Sequence, residues 1–447
     1  MANHILLRKI KLTQSAASLT FANIPQTGYT DLKVVLSIRS DRATEVDDQF
    51  IIKPNNSSAN LSYRHVRGSG ASTTTGTVNR TYIPAAGATS FTFGNSEIYI
   101  PNYASSNYKS FYCDSAQETN GTTAYSAIQS ILWSDTTAIS SLVLAPVSGT
   151  NFVAGSTFSL YGVAATGTSA DTGPKASGGN TISSDGTYWY HAFLTSGFFT
   201  PIQTLSCDYL VVAGGGGGGG GAGLRGGGGG GAGGLRTITS ASLTSNTALT
   251  VTVGAGGIGR IGGTSVQPTN GSDSTFNSTT STGGGRAGWA QYATSLQNGA
   301  DGGSGGGATG EDSVTRTGGA GNTPSTSPSQ GSSGGSSSSS GAGGGGGGAG
   351  GGGSNASSGS GGGAGVGLNT QTGYGSFSAT ATATNTGVSG YYAAGGAGAN
   401  NTGSTAGTAG VANTGNGGNG GQGEASTNNG VNGGDGGSGI VIIRYAV

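Results

Sequence analysis

Apolar and polar positions alternate along much of the first 165 residues. Leu32, Val34, Leu36 and Ile38 take one parity, and Lys33, Val35, Ser37 and Arg39 take the other. A period of two predicts strands with a buried face. Short runs of this kind recur at Leu19–Ile24, Gln49–Lys53, Leu61–Val66, Phe91–Phe93, Glu97–Ile100, Tyr108–Cys113, Ser140–Leu144 and Phe158–Val163. Turn-rich text separates them, as at Pro54-Asn-Asn-Ser57, Gly68-Ser-Gly70 and Asn120-Gly121. About eight or nine strands at this spacing predict an all-β N-terminal sandwich, jelly-roll-like, over residues 1–165. Thr123–Trp133 reads either as a strand or as a short helix.

Residues 166–203 read as a linker and a small β cap. The stretch Ala164–Asn180 is rich in Gly, Ser and Thr, and Thr181–Leu194 and Gly197–Ile202 are β-like. Asp185-Gly186 suits a hairpin turn, and Tyr188, Tyr190 and Phe193 offer an apolar plug.

From residue 204 to 447 the pattern changes. Only 16 of the 96 glycines precede residue 201, so 80 lie beyond it. Gly214–Gly221, Gly226–Gly231 and Gly343–Gly348 are pure glycine. Apolar strands bracket the region, Asp208-Tyr-Leu-Val-Val-Ala213 before it and Ile440-Val-Ile-Ile-Arg-Tyr445 at its end, with Ala248–Val253 between. A near-repeat joins Gly221-Ala-Gly-Leu-Arg225 to Gly231-Ala-Gly-Gly-Leu-Arg236.

Glycine loses the most backbone entropy on ordering, so a fold must compensate it. The polyproline-II helix has three residues per turn and no internal hydrogen bonds, so its amides point outward. Without Cβ atoms such helices can pack at backbone distance and bond to one another. Eight residues at about 3.1 Å each span about 25 Å. Successive blocks can therefore run up and down a slab, with the polar inserts Trp289–Leu296, Ser325–Ser340, Tyr374–Ser389 and Tyr391–Thr402 as loops at its ends. The competing reading, a low-complexity tether, leaves the terminal strand and the aromatics of the inserts unexplained.

Charge narrows the function. Charged residues make up 8% of the chain, 18 Lys+Arg balance 18 Asp+Glu, and Lys175 is the last lysine. Such a balance argues against a nucleic-acid partner. No run reaches the roughly 18 apolar residues of a membrane span, and no cleavable signal is read at Met1–Ile10, so membrane insertion is not expected. Cys113 and Cys207 are distant and read as isolated thiols.

Little points to catalysis. The many GxGxxG matches lack the following helix of a dinucleotide site. His4, His65 and His191 stand alone, and Asp47-Asp48 and Glu311-Asp312 read as solvated turns. Asp301 and Asp435 neighbour glycines without the GGxGxD calcium pattern. No enzyme activity, cofactor or metal is expected. Trp289, Tyr292, Tyr374, Phe377, Tyr391 and Tyr392 sit in small polar surroundings. That composition resembles a paratope, where rings anchor and small polar residues adapt, which makes them receptor-binding candidates. The same rings also suit plugging slab ends or packing between protomers.

Cys207-Asp-Tyr-Leu-Val-Val-Ala-Gly-Gly-Gly216, Val251-Thr-Val-Gly-Ala-Gly-Gly257, Gly436-Gly-Ser-Gly-Ile-Val-Ile-Ile-Arg-Tyr445 and the lead-in Tyr190–Thr200 resemble the glycine-rich domain of bacteriophage tail and virion proteins. The architecture is similar to distal tail-fibre adhesins with a polyglycine-II sandwich. The resemblance implies a virion location, on a tail fibre or the capsid surface. It implies a non-enzymatic adhesin whose glycine-domain loops bind a host surface glycan or outer-membrane protein. The sandwich would attach to other virion proteins or form a homo-oligomer, a trimer by preference. The alternative is a capsid-decorating or structural fibre protein with the glycine domain as a rigid spacer. The resemblance carries over no receptor residue.

Overall fold

The computed structural model describes residues 4–119, 124–164, 173–261, 264, 266–289, 297–311, 313–369, 384, 386–423 and 430–447. Its strands, in chain order, begin with β1 (His4–Lys11), β2 (Leu19–Phe21), β3 (Tyr29–Ile38), β4 (Asp47–Pro54), β5 (Leu61–Gly68) and β6 (Thr73–Gly76). Then come β7 (Tyr82–Pro84), β8 (Gly94–Ile100), β9 (Lys109–Gln117), β10 (Tyr125–Trp133), β11 (Leu142–Pro146) and β12 (Thr157–Ala164). The next are β13 (Ala176–Ser177), β14 (Thr181–Ser184), β15 (Tyr188–Phe193), β16 (Gly197–Pro201), β17 (Leu205–Val212) and β18 (Leu235–Leu243). The last are β19 (Leu249–Thr252), β20 (Ser274–Phe276), β21 (Thr279–Ser281), β22 (Leu368–Asn369), β23 (Tyr391–Tyr392) and β24 (Ile440–Ala446). The chain divides into two compact units, Met1–Pro174 with Asn180–Gly186 and Val447, and Lys175–Gly179 with Thr187–Ala446.

The first unit is a sandwich of unequal antiparallel sheets. The larger runs β6-β5-β10-β9-β8-β3-β12-β1-β14, and the smaller runs β2-β11-β4-β7. Leu32, Val34, Leu36 and Ile38 of β3 are all buried, as their alternation predicts, and they join Phe21, Phe50, Ile98, Trp133 and Phe158 in one core. Each such side chain contributes roughly 1.5–3 kcal/mol on burial.

Two expectations change here. The ambiguous Thr123–Trp133 is strand from Tyr125 onward, with Ala127, Gln129, Ile131 and Trp133 facing inward. Cross-strand pairing to β9 and β5 decides it. Phe91–Phe93 is not a strand: Phe91 has a left-handed φ of 65° and is 94% exposed. Of the expected linker, 165–172 lie outside the described residues, and β14 pairs with β1 in the first unit. Gly186 takes the positive φ of 87° that a turn requires.

In the second unit β15-β24-β17-β18 form one sheet segment and β13-β16-β19-β20-β21 another. Tyr190, Leu210, Val212, Leu235, Ile440, Ile442 and Tyr392 pack as its apolar core. Glycine runs leave this core as something other than sheet. Gly214 and Gly217 donate to the carbonyls of Ser272 and Thr269, both at 3.0 Å. Gly215 and Gly218 donate to Gly437 and Gly434 at 2.9 and 2.8 Å, and Gly216 and Gly219 to Gly231 and Gly228 at 2.8 and 2.9 Å.

The partner therefore changes with each residue and returns every third, which is the turn of a polyproline-II helix. Carbonyls obey the same rule. Gly214 and Gly217 accept from Gly284 and Ala287, Gly215 and Gly218 from Gly257 and Arg260, and Gly216 and Gly219 from Gly418 and Gly421. One run is thus ringed by six others, antiparallel where it donates and parallel where it accepts. Gly226–Gly234 repeats the three-residue period, donating in turn to 341–347, which runs parallel to it, and to 415–421 and 282–288, which run antiparallel. The second unit is a polyglycine-II slab closed at one end by strands.

Steric exclusion explains the composition. A Cβ on Gly216, Gly217 or Gly218 would lie 2.2, 2.0 or 2.1 Å from the carbonyl oxygens of Gly285, Ile258 and Asn419. Side chains belong at the slab's edges. There, Asn and Asp three residues apart stand in for a missing neighbour. Asn416 and Asn419 accept from the amides of Ala394 and Ala397 at 2.9 and 2.8 Å, and Asn270 and Asp273 from Arg286 and Gly283, both at 2.8 Å. Asp301 and Asp435 serve the same purpose, accepting from Ala320 and Gly259 at 2.6 and 2.7 Å.

Candidate functional site

Because the runs alternate in direction, their turns gather at two ends. At the strand end β17 enters the slab and β24 leaves it. At the far end the chain turns after Gly221, Arg260, Trp289, Gly310, Ala399 and Gln422, as the pairing of neighbouring runs requires. The far end is where side chains reappear, because no neighbouring run lies beyond it to exclude a Cβ.

The turn Ala222–Arg225 closes on a 3.0 Å bond from the Ala222 amide to the Arg225 carbonyl, with Gly223 at a left-handed φ of 58°. Its tip is Leu224, 48% exposed. Ile261, Val266 and Val314 on other far-end turns are also more than two-fifths exposed. The Thr264 hydroxyl shapes one of these turns, donating to the Ile261 carbonyl at 2.8 Å and accepting from the Val266 amide at 3.2 Å.

Charge concentrates at the same end. Arg316 donates to one oxygen of Glu311 from Nε at 2.8 Å and from Nη2 at 2.6 Å, and Arg225 lies 3.7 Å from the other oxygen. Burial opposes ionisation of Glu311. Hydrogen bonds from Arg316 and Gln297, with the charges of Arg316 and Arg225, overcome it and hold the carboxyl below its usual range. At the same end Arg260 is buried with its guanidinium 5.0 Å from the Trp289 ring centre, and burial lowers its pKa. Such a surface offers aliphatic contact and charge-assisted hydrogen bonds around an ion-paired centre. Among the described residues no His, Cys, Asp and Glu group could hold a metal ion, and no helix is long and apolar enough to cross a membrane.

The candidates named from sequence are scattered. Trp289 is at the far end but buried, 1% exposed. Tyr392 is buried in the strand-end core, its hydroxyl 2.6 Å from the Thr386 hydroxyl. Tyr391 is 42% exposed on the short β22–β23 ladder at the strand end. Tyr292, Tyr374 and Phe377 lie outside the described residues, as does Asp312. The burial of Trp289 and Tyr392 matches the plug role weighed for these rings.

Leu224, Ile261, Val266, Val314, Arg225 and Arg316 were missed by sequence reasoning. Their signal is an aliphatic or charged residue just beyond a glycine run, where a Cβ is again allowed. The near-repeat misleads on this point: Leu224-Arg225 is a far-end turn, whereas Leu235-Arg236 opens β18.

No curated protein and no solved structure matches the chain. A family model described as the glycine-rich domain matches residues 192–446, from within β15 to the end of β24 and more than half of the sequence. The three-residue bonding register, the excluded Cβ positions and this match together identify the chain as a member of the glycine-rich domain family.

Proposed function

We propose that the protein is a non-enzymatic phage virion component that binds the host surface through the far-end turns of its polyglycine-II slab. The observation that carries this reading is that exposed Leu224, Ile261, Val266 and Val314 and the ion-paired Arg225, Glu311 and Arg316 all lie at one end of a scaffold whose backbone bonds are internally met. Loops on a rigid body are where recognition usually resides. The host partner is a surface glycan or an outer-membrane protein. The first unit serves attachment to other virion proteins or trimer formation. The resemblance of the strand and glycine strings to phage tail and virion proteins supports the setting.

The test is adsorption by virions carrying Leu224→Asp with Val314→Asp, beside virions carrying Val411→Asp at the strand end. The reading expects at least a tenfold slower adsorption for the first and wild-type adsorption for the second. Normal adsorption by the first, with the protein folded and incorporated, removes it. One observation favours a spacer or capsid-decorating role: Trp289 and Tyr392 are enclosed instead of displayed. Labelled antibody on intact particles separates the two, with fibre tips marked for adhesion and heads for decoration.

A further inference from the structure

The edges of the slab carry a chemistry that host binding does not use. Asn followed by Gly is the dipeptide most prone to deamidation, because glycine without a Cβ leaves its amide nitrogen unhindered and its backbone free to turn. That nitrogen gives up its proton and attacks the carbonyl carbon of the Asn side chain. The new C–N bond closes a succinimide ring, and Nδ2 leaves as ammonia. Water then opens either carbonyl of the ring, giving aspartate or isoaspartate.

Both residues are described in the pairs Asn270-Gly271, Asn298-Gly299, Asn416-Gly417, Asn419-Gly420 and Asn432-Gly433. In each the glycine amide is engaged. Gly271, Gly417, Gly420 and Gly433 donate to the carbonyls of Gly284, Ala394, Ala397 and Arg260 at 2.9 Å, and Gly299 donates to Thr317 at 3.1 Å. At four of these pairs the Asn carboxamide oxygen is held as well. Asn416 and Asn419 accept from the amides of Ala394 and Ala397 at 2.9 and 2.8 Å. Asn298 accepts from Thr317 at 3.1 Å, and Asn270 from Arg286 at 2.8 Å.

Three of the pairs form one motif. Asn416-Gly417 grips both the amide and the carbonyl of Ala394, Asn419-Gly420 those of Ala397, and Asn298-Gly299 those of Thr317. Attack needs the carboxamide to rotate until its carbon lies over the glycine nitrogen, which breaks the bond to its oxygen. It also needs the glycine N–H to leave its acceptor. The docked run opposes the reaction at both atoms. Asp301-Gly302 grips Ala320 in the same way, at 2.6 and 3.2 Å, so aspartate is accommodated at this position. Isoaspartate carries the backbone through the side chain and adds a carbon to a run whose bonds recur every third residue. Asn355-Ala356 makes the same grip on Ser336, at 2.8 and 2.9 Å, but with the more hindered alanine as the attacking residue.

We propose that Asn270, Asn298, Asn416 and Asn419 are fold-gated modification sites, silent while their edge runs are docked and deamidating when those runs detach.

Peptide mass mapping with isoaspartyl-methyltransferase labelling tests it on the full chain, incubated at mildly alkaline pH with and without guanidinium. In denaturant the four sites should convert while Asn355 lags, and in native buffer each should react at least tenfold more slowly. Ala397→Pro paired with Thr408→Val unlocks one site. Proline suits the polyproline-II φ, removes the amide that Asn419 accepts from, and keeps the carbonyl. Valine removes the hydroxyl that Asn419 Nδ2 reaches at 2.6 Å. In this variant, native by circular dichroism, Asn419 should react at least threefold faster than in wild type, with Asn270 and Asn298 unchanged. Equal rates in native and denatured wild type, or an unchanged Asn419 in the folded variant, overturn the proposal. Acceleration at all four sites together marks a variant that has lost the slab, and the native-to-denatured ratio in wild type then decides. Neither readout depends on host binding, so this proposal and the adhesin reading fail separately.

Discussion

The imidazole of His191 and the hydroxyl of Tyr445 lie 2.9 Å apart in the interior of the second unit. His191 Nδ1 faces the Gly178 carbonyl at 2.7 Å. A carbonyl only accepts, so Nδ1 carries the proton, and Nε2 accepts from Tyr445. Burial drives the His191 pKa down to about 4, against the partial support of the Gly178 carbonyl, and pushes the Tyr445 hydroxyl up.

A pH dependence follows. His191 is depressed to about 4 from 6.5, so the unfolded chain binds the extra proton between those values. Stability is full above about pH 6.5 and falls as pH drops toward about 4, by up to roughly 3 kcal/mol. Thermal unfolding at pH 7 and pH 4.5 should show the loss, and His191→Gln should remove most of the difference between them. An equal difference in that variant assigns the effect elsewhere.

Gly217→Ala should disrupt the slab. Its Cβ would meet the Ile258 carbonyl oxygen at 2.0 Å, and both partners are backbone held by neighbouring runs. The cost should reach about 3 kcal/mol, the upper end for overpacking. Gly363→Ala is the control, because its Cβ would have only Ser354 atoms beyond 3.5 Å as neighbours. That variant should lie within about 1 kcal/mol of wild type, with the stiffer unfolded chain in its favour. Denaturant titration gives both values, and hydrogen exchange should show protected amides over Gly214–Gly219 in wild type.

The Asn419 carboxamide accepts from the Ala397 amide at 2.8 Å and donates to the Thr408 hydroxyl at 2.6 Å. Asn419→Leu strands the Ala397 amide and should cost about 1–3 kcal/mol. Asn419→Asp keeps the acceptor and should cost less. A reversed order in urea unfolding would refute the bonding role.

Arg444 is nearly buried, with Nε and Nη2 at 3.1 and 2.9 Å from one oxygen of Asp208 and its guanidinium 4.2 Å from the Tyr188 ring centre. The other Asp208 oxygen accepts from the Ser240 amide at 2.9 Å. Asp208→Asn removes the carboxylate charge from beside this buried guanidinium and should cost about 3 kcal/mol. Asp208→Asn paired with Arg444→Met should recover part of that loss, read by thermal unfolding.

The sequence by itself determined the all-β class, the parity of β3 and the ordered character of the glycine half. Period-two alternation and pure glycine runs between apolar strands have few other physical solutions. The Asn/Asp spacing of three at 270 and 273, 298 and 301, and 416 and 419 was legible too, once the three-residue turn of the runs is known. Tertiary structure alone decided that Tyr125–Trp133 joins a sheet, that Trp289 and Tyr392 are enclosed, and that Leu224, Val314 and Arg316 lie at one end of the slab. Each of those outcomes depends on which runs become neighbours. Hydrogen bonding between glycine runs carries no side-chain code, so the neighbour list is set by the packing of the whole unit.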